Sequence, residues 1–163
     1  MRKYLILSII MLVVLSGCGI GSFIMPNDTE FITVMNNFRT PKEIVNYMAE
    51  NFEYEYHPLI NLNPYKLWLG GKGDCDDMYR FAALAGELNN IEVYKLVVMF
   101  NICYGHAFAV YREGDMYSFS SNYSYYEPEY ISFKDIVEYF FDTEWKNYKV
   151  YDYSNNLIEN GVR

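Results

Sequence analysis

Two segments of the chain carry apolar residues at helical spacing. Residues 40–43 (TPKE) form a capping box with proline at the first helical position, and apolar residues follow from Ile44 onward, which predicts a helix over 41–52. Asp74 can cap a second helix that ends near residues 89–90. Its buried face would consist of Met78, Phe81, Ala82, Ala85 and Leu88. Between the two helices, residues 53–73 contain prolines and glycines and predict an irregular surface connection.

After residue 90 the pattern changes to alternation of apolar and polar positions. Three segments share it: 91–100, 105–112 and 116–122. Such alternation predicts consecutive strands, the last two joined by a turn at 113–115. An antiparallel meander packed on the preceding helix follows. A short helix that begins at Ser132 and a strand over 148–153 complete the prediction.

The N-terminal segment has the form of an export signal. Arg2 and Lys3 precede an apolar run over 4–15, and the run ends in LSGC at 15–18, which resembles a bacterial lipobox. The resemblance implies a signal peptide over 1–17 and a lipid-bearing Cys18 at the start of the mature chain. An uncleaved membrane anchor is the alternative.

The rest of the N-terminal region sets the domain organisation. Residues 18–30 lack periodicity and predict a tether, followed by one domain over 31–163. Both a lipid anchor and an uncleaved anchor place this domain on the extracytoplasmic face of the cell membrane, because the positive residues stay inside. The sequence does not indicate an oligomeric state.

Composition excludes nucleic acid as a partner. The chain of 163 residues has 13 Lys+Arg against 21 Asp+Glu and a net charge of -8, whereas nucleic-acid binding needs a basic surface. A hydrophobic content of 52% is enough for a packed core. The three cysteines have no CxxC spacing, so neither a zinc ribbon nor a redox pair is indicated.

The candidate chemistry lies at the start of the second helix. Cys75 would be its first residue, where unpaired N–H groups and the helix dipole favour a thiolate, so we expect a lowered pKa for this thiol. His106 opens the second strand of the predicted sheet, on which this helix packs. A helix-start cysteine that faces a strand-borne histidine is typical of sulfur nucleophiles, because imidazole can take the thiol proton.

Over residues 40–122 the sequence resembles the transglutaminase-like superfamily of papain-type cysteine enzymes. The similarity rests on GKGDCDDMYRFAALAGELNNIEVYKLVVM and the following GHAFAVYREGDMYSFSSN. It implies an α+β, papain-like fold with the cysteine helix on an antiparallel sheet, and it implies that Cys75 is the nucleophile and His106 the general base. The acidic third residue of the family falls on Ser120, and Asn122 two residues on is the alternative for orienting the imidazole.

The implied activity is hydrolysis or acyl transfer at an amide bond of a peptide or protein, without a metal or organic cofactor. The competing hypothesis is a non-catalytic lipoprotein that binds an envelope protein, peptide or glycan through a tyrosine-rich surface. That surface would consist of Tyr123, Tyr125, Tyr126 and Tyr130, although these tyrosines could equally cover a sheet edge. Loss of the family's acidic residue favours this competing hypothesis.

Three other side chains, Cys103, His57 and Trp68, have simpler interpretations. A disulfide between Cys75 and Cys103 would silence the enzyme, and strand parity argues against it, as it does against a zinc site of these two cysteines with His106. His57 is interpreted as an ordinary surface residue, and Trp68 as a core residue rather than a wall of the cleft.

Overall fold

The computed structural model describes residues 23–57, 60–100, 104–142 and 144–163. The expected signal peptide over 1–17, the expected lipidation site Cys18, and Cys103 lie outside the described residues. Within the described ranges, every helix is too short or too polar to cross a membrane.

The described chain enters the domain earlier than the sequence predicts. Helix α1 spans Thr29–Met35, and the Asp28 carboxylate caps it by accepting from the backbone N–H groups of Glu30 and Phe31. Phe31 is fully buried, and Phe23 packs against the same core. The tether predicted over 18–30 therefore overlaps this helix. Helix α2 (Pro41–Asn51) begins at the predicted capping box, with Thr40 as its cap.

The connection predicted to be irregular contains three short elements. Strands β1 (Glu53–Tyr54) and β2 (Lys72–Gly73) pair in parallel, and helix α3 (Pro64–Gly70) lies between them. The helix is capped by Asn63 and ends at Gly71, whose φ of 66° is the left-handed conformation that glycine adopts most readily. This small sheet holds the chain beside the start of the next helix.

Helix α4 (Cys75–Leu88) is the cysteine helix that the sequence predicts. Its buried face packs on the main sheet and on the N-terminal helices, and Phe81, Ala82 and Ala85 on that face are fully buried. Gly86 allows the close approach to the sheet, because a Cβ atom there would lie 2.3 Å from the Val93 Cγ2.

The main sheet is wholly antiparallel and has six strands. The strands are β3 (Val93–Met99), β4 (Gly105–Glu113), β5 (Met116–Ser121), β6 (Ser124–Tyr130), β7 (Asn147–Tyr151) and β8 (Leu157–Val162), in the spatial order β6-β5-β4-β3-β7-β8. Helix α5 (Phe133–Phe141) precedes β7. The fold is therefore α+β, as expected, with β6 and β8 not predicted from the sequence.

Alternate residues of β4 face two different cores. Ala109 and Tyr111 belong to the cluster that contains the buried face of α4. Phe108 and Val110 belong to the cluster that contains the buried residues of α5. Helices thus cover both faces of the sheet, and neighbouring residues of β4 lie in different environments.

Candidate active site at the start of the cysteine helix

Cys75 is the first residue of α4, as the sequence predicts, and its thiol is free. The backbone N–H of Ala107 on β4 lies close enough to the sulfur to lower the pKa of the thiol. The thiol therefore lies beside the peptide bond that joins His106 to Ala107. Asp74 caps the helix by accepting from the N–H groups of Asp76 and Asp77. Among the hydrogen bonds of the described residues, none uses the Cys75 N–H.

The expectation of a lowered Cys75 pKa is wrong. Burial raises the pKa of this thiol because the half-buried sulfur has lost solvent that would stabilise a thiolate. The N–H groups of Ala107 and Asp76 act in the opposite direction, whereas the carboxylates of Asp76 and Asp74 raise the pKa further. The dipole effect at the helix start is outweighed by desolvation and by the acidic neighbours.

His106 lies on the face of the sheet that α5 covers. Its ring meets the Phe108 ring edge-on at a centroid distance of 4.5 Å and stacks on Phe140 at 6.4 Å. The prediction that the imidazole faces the thiol across the interface between α4 and the sheet is therefore wrong, because even-numbered residues of β4 face the other core. In the described part of the chain no hydrogen bond joins the His106 ring to Cys75.

The His106 ring is held through one nitrogen. Its Nε2 lies 3.0 Å from the Ser121 Oγ, and Nδ1 has no hydrogen-bond partner among the described residues. Burial lowers the pKa of His106 to about 4, and the Asp76 carboxylate offsets this only in part. The ring is therefore neutral at neutral pH and can accept a proton.

The structure does not place either residue that was predicted to orient the imidazole next to His106. The Ser120 Oγ lies 3.2 Å from the Tyr111 hydroxyl, on the α4 side of the sheet, so Ser120 does not orient His106. Asn122 lies in the turn between β5 and β6 with φ 55°, and its buried Oδ1 has no hydrogen-bond partner in the described structure. Neither residue bonds to the imidazole. Ser121 occupies that position, and the sequence analysis missed it.

Hairpin register could have identified Ser121. A turn at Gly114 and Asp115 pairs Glu113 with Met116, and the same register pairs Phe108 with Ser121. Ser121 therefore shares the face of Phe108 and of His106, two residues before Phe108 on the strand. Counting along the chain from the family pattern gave Ser120, which is one residue off and so on the opposite face.

Trp68 and the tyrosines of the predicted binding surface contact other residues of the domain. The Trp68 Nε1 donates to the Tyr47 hydroxyl at 2.8 Å, and its ring packs on Phe31. The Tyr125 hydroxyl donates to Glu113, and Tyr126 stacks on Phe119 at 4.3 Å. Trp68 is thus a structural residue, and these tyrosines cover the sheet.

His57 is not an ordinary surface residue, so that interpretation is wrong. Only 16% of its side chain is exposed, and its Nε2 lies 3.2 Å from the Asp77 Oδ2. Burial lowers the pKa of His57, but the Ile60 carbonyl and the carboxylates of Asp77 and Asp74 raise it overall. The sequence offers no local signal for this contact, because 20 positions separate the two residues.

Comparison with known proteins adds no identification to the geometry. Neither a scan against protein-family models nor a search of the curated proteins finds a match for this chain. The structure shows an α+β domain with a six-stranded antiparallel sheet.

Proposed function

We propose that the chain is a transglutaminase-like cysteine hydrolase or acyltransferase, with Cys75 as the nucleophile and His106 as the general base. The observation that carries the proposal is the closeness of the Ala107 N–H to the Cys75 thiol, which lowers the pKa of that thiol. This contact brings a helix-start thiol next to the residue that bears the imidazole. The order of cysteine helix and histidine strand is the order in the superfamily that the sequence resembles.

Among the described residues the Nδ1 of His106 has no hydrogen-bond partner, which supports a role as the base. When substrate binds, a neutral imidazole takes the thiol proton as the sulfur attacks the amide carbonyl carbon. The carbon–nitrogen bond then breaks, and the imidazolium returns the proton to the leaving amine. Water or a second amine attacks the thioester and releases the Cys75 thiol. The proposal requires the His106 ring to move past the end of β4 towards the thiol when substrate binds, because the two side chains lie on different faces of the sheet in the ligand-free chain.

The Cys75 N–H is the candidate donor to the oxyanion. Asp74 takes the N–H groups of Asp76 and Asp77, so its cap leaves the first N–H of the helix available. A backbone donor at the N-terminus of a helix is suited to the negative charge that develops on the carbonyl oxygen.

The third member of the site is a neutral serine. The Ser121 hydroxyl fixes one ring nitrogen of His106, but it adds no negative charge to stabilise an imidazolium. We therefore expect turnover well below that of a triad with an acidic third residue.

The cellular setting is also a proposal. Acylation of Cys18 would hold the domain on the extracytoplasmic face of the membrane, where peptides and proteins of the envelope would be its substrates. Intact mass of the membrane-extracted chain tests this, since an acylated Cys18 must be the first residue. A mass that begins at Met1 would exclude the lipoprotein.

A binding function without catalysis is the second candidate. Two observations favour it: the imidazole lies on the far face of the sheet, and burial raises the pKa of the thiol. In that case the fold would present its surface to an envelope component and Cys75 would be an inert buried thiol.

Acylation by an activated ester distinguishes the two candidates. With p-nitrophenyl acetate at neutral pH, we expect a burst of nitrophenolate and one acetyl group on Cys75 by peptide mass spectrometry. His106→Gln should slow the burst by about 100-fold, the ordinary contribution of a general base. Cys103→Ser is the matched control and should leave the burst intact. Equal rates in the wild type and His106→Gln would favour the binding protein.

A further inference from the structure

A histidine and two aspartates converge at the start of α4, on residues that the proposed reaction does not use. One ligand atom from each of His57, Asp74 and Asp77 lies within 4.8 Å of the others. The closest pair is the His57 Nε2 and the Asp77 Oδ2, at 3.2 Å. Asp77 is fully buried and Asp74 is 9% exposed.

Neighbouring groups orient each of these donors. The His57 Nδ1 lies 2.8 Å from the Ile60 carbonyl oxygen, so Nδ1 carries a proton and Nε2 points into the cluster. The Asp77 Oδ1 accepts from the Leu62 N–H at 2.8 Å, and the Asp74 Oδ1 accepts from the start of the helix. Such outer hydrogen bonds commonly fix the ligands of a metal ion.

The cluster has an excess of negative charge. In the described structure, neither Asp74 nor Asp77 makes an ion pair with a lysine or arginine, and His57 is their one cationic neighbour. The His57 Nε2 is itself buried without a hydrogen-bond partner, despite its short distance to the Asp77 carboxylate. Two buried carboxylates beside one histidine are compensated only in part by backbone N–H groups, and a bound cation would lower the remaining cost.

We propose that His57, Asp74 and Asp77 bind one divalent transition-metal ion, of which Zn²⁺ fits best. Ligands about 2.0–2.2 Å from a tetrahedral zinc lie about 3.3 Å from one another, close to the separation of the His57 and Asp77 atoms. The imidazole favours zinc over magnesium or calcium, which prefer all-oxygen sites. A water molecule would complete the coordination.

The metal would fasten His57 to the first turn of the cysteine helix. Asp77 already contacts His57 and the Leu62 N–H. This structural role does not depend on whether Cys75 reacts with a substrate, so the two proposals fail separately.

The test uses the full chain without a histidine tag, stripped with a chelator and titrated with Zn²⁺ and with Co²⁺. We expect one equivalent of Zn²⁺ by native mass spectrometry and the visible bands of Co²⁺ with nitrogen and oxygen ligands. His57→Gln and Asp77→Asn should each weaken binding by at least about tenfold. Asp135→Asn is the matched control, because Asp135 also lies in the third position of a helix, and it should bind as the wild type does.

Three results would overturn the metal site. The first is no binding by the wild type, and the second is equal binding by the wild type and His57→Gln. The third is a thiolate-to-Co²⁺ band that Cys75→Ser removes, because it would replace this ligand set. A wild-type spectrum without this band excludes the third result, even where a variant fails to fold.

Discussion

The backbone N–H of Ala107 lies close enough to the sulfur of Cys75 to lower the pKa of that thiol, so the start of α4 lies beside the residue that follows His106. The sulfur therefore lies beside β4 next to position 106, although the thiol and the imidazole belong to different faces of the sheet. A small residue at position 107 allows the helix start to approach the strand. The candidate dyad depends on this contact between helix and strand.

An aspartate at position 121 should strengthen the candidate base, because Ser121 already contacts the His106 Nε2. Ser121→Asp should raise the pKa of His106 above its present value of about 4, by NMR titration of the ring, and accelerate acylation by the ester. Ser121→Ala should slow acylation by up to about tenfold, the value of one hydrogen bond.

Ser120→Asp is the control. It distinguishes Ser121, the partner of His106 in the structure, from Ser120, the partner that the sequence predicts. A carboxylate there would be buried beside Tyr111, on the opposite face from the imidazole, so it should destabilise the fold without raising the pKa of His106. A raised His106 pKa in Ser120→Asp but not in Ser121→Asp would contradict the register described above.

Stability should fall in mildly acidic solution because His106 is buried in its neutral form. The pKa of about 4 in the folded chain lies below the ordinary value of 6.5, so the unfolded chain binds more protons between these values. The contribution is fully present above about pH 6.5 and is lost as the pH falls towards 4, by at most about 3 kcal/mol.

Urea unfolding of the wild type and His106→Gln at several pH values isolates this contribution from that of the carboxylates. The difference in unfolding free energy between the two proteins should change between pH 7 and pH 4.5. A constant difference would show that the imidazole is solvated in the folded chain.

Gly86→Ala should destabilise the domain by about 1–3 kcal/mol, as overpacking does. The added Cβ would lie 2.3 Å from the Val93 Cγ2 and 2.9 Å from the Ile91 carbonyl oxygen, so α4 must shift on the sheet. Thermal unfolding measures the effect. Gly70→Ala is the matched control at another helical position, where a Cβ meets nothing within 4 Å, and it should be close to neutral.

Asp28→Ala should cost about 0.5–2 kcal/mol, because Asp28 caps α1 and also accepts from the Tyr65 hydroxyl at 2.9 Å. This variant tests whether the end of the predicted tether belongs to the folded domain. Glu30→Ala removes the same charge two residues later and should cost less, since no hydrogen bond of the described structure uses its side chain. Equal unfolding midpoints for wild type and Asp28→Ala would exclude the cap.

Sequence patterns predicted the elements that have a clear cap or a clear apolar spacing, and they missed the others. The capping box at residues 40–43 and the aspartate before Cys75 located α2 and α4, because caps and apolar spacing are local signals. Helix α3 was missed because its seven residues are too few for a periodic pattern. Strand β6 was missed because tyrosines occupy both of its faces.

The sequence predicted which elements carry the candidate site residues. It would also have predicted the face of the sheet on which each residue lies if the alternation of side chains along the strands had been applied. Cys75 and His106 lie on the elements that the sequence assigns to them, but the face of His106 and the identity of Ser121 follow from hairpin register. The contact of His57 with Asp77 joins two distant segments. No local pattern encodes such a contact, because it depends on how the connection folds over α4.

Alternate residues of β4 face two different cores. The position of the His106 imidazole and the position of the Cys75 thiol therefore depend on separate packing layers. Phe140 of α5 contacts the imidazole, whereas the helix that carries the thiol is anchored through Phe81 and Ala82. A substitution in either layer would move one partner and leave the other in place. Evolution or engineering could thus tune the proton acceptor and the sulfur independently of each other.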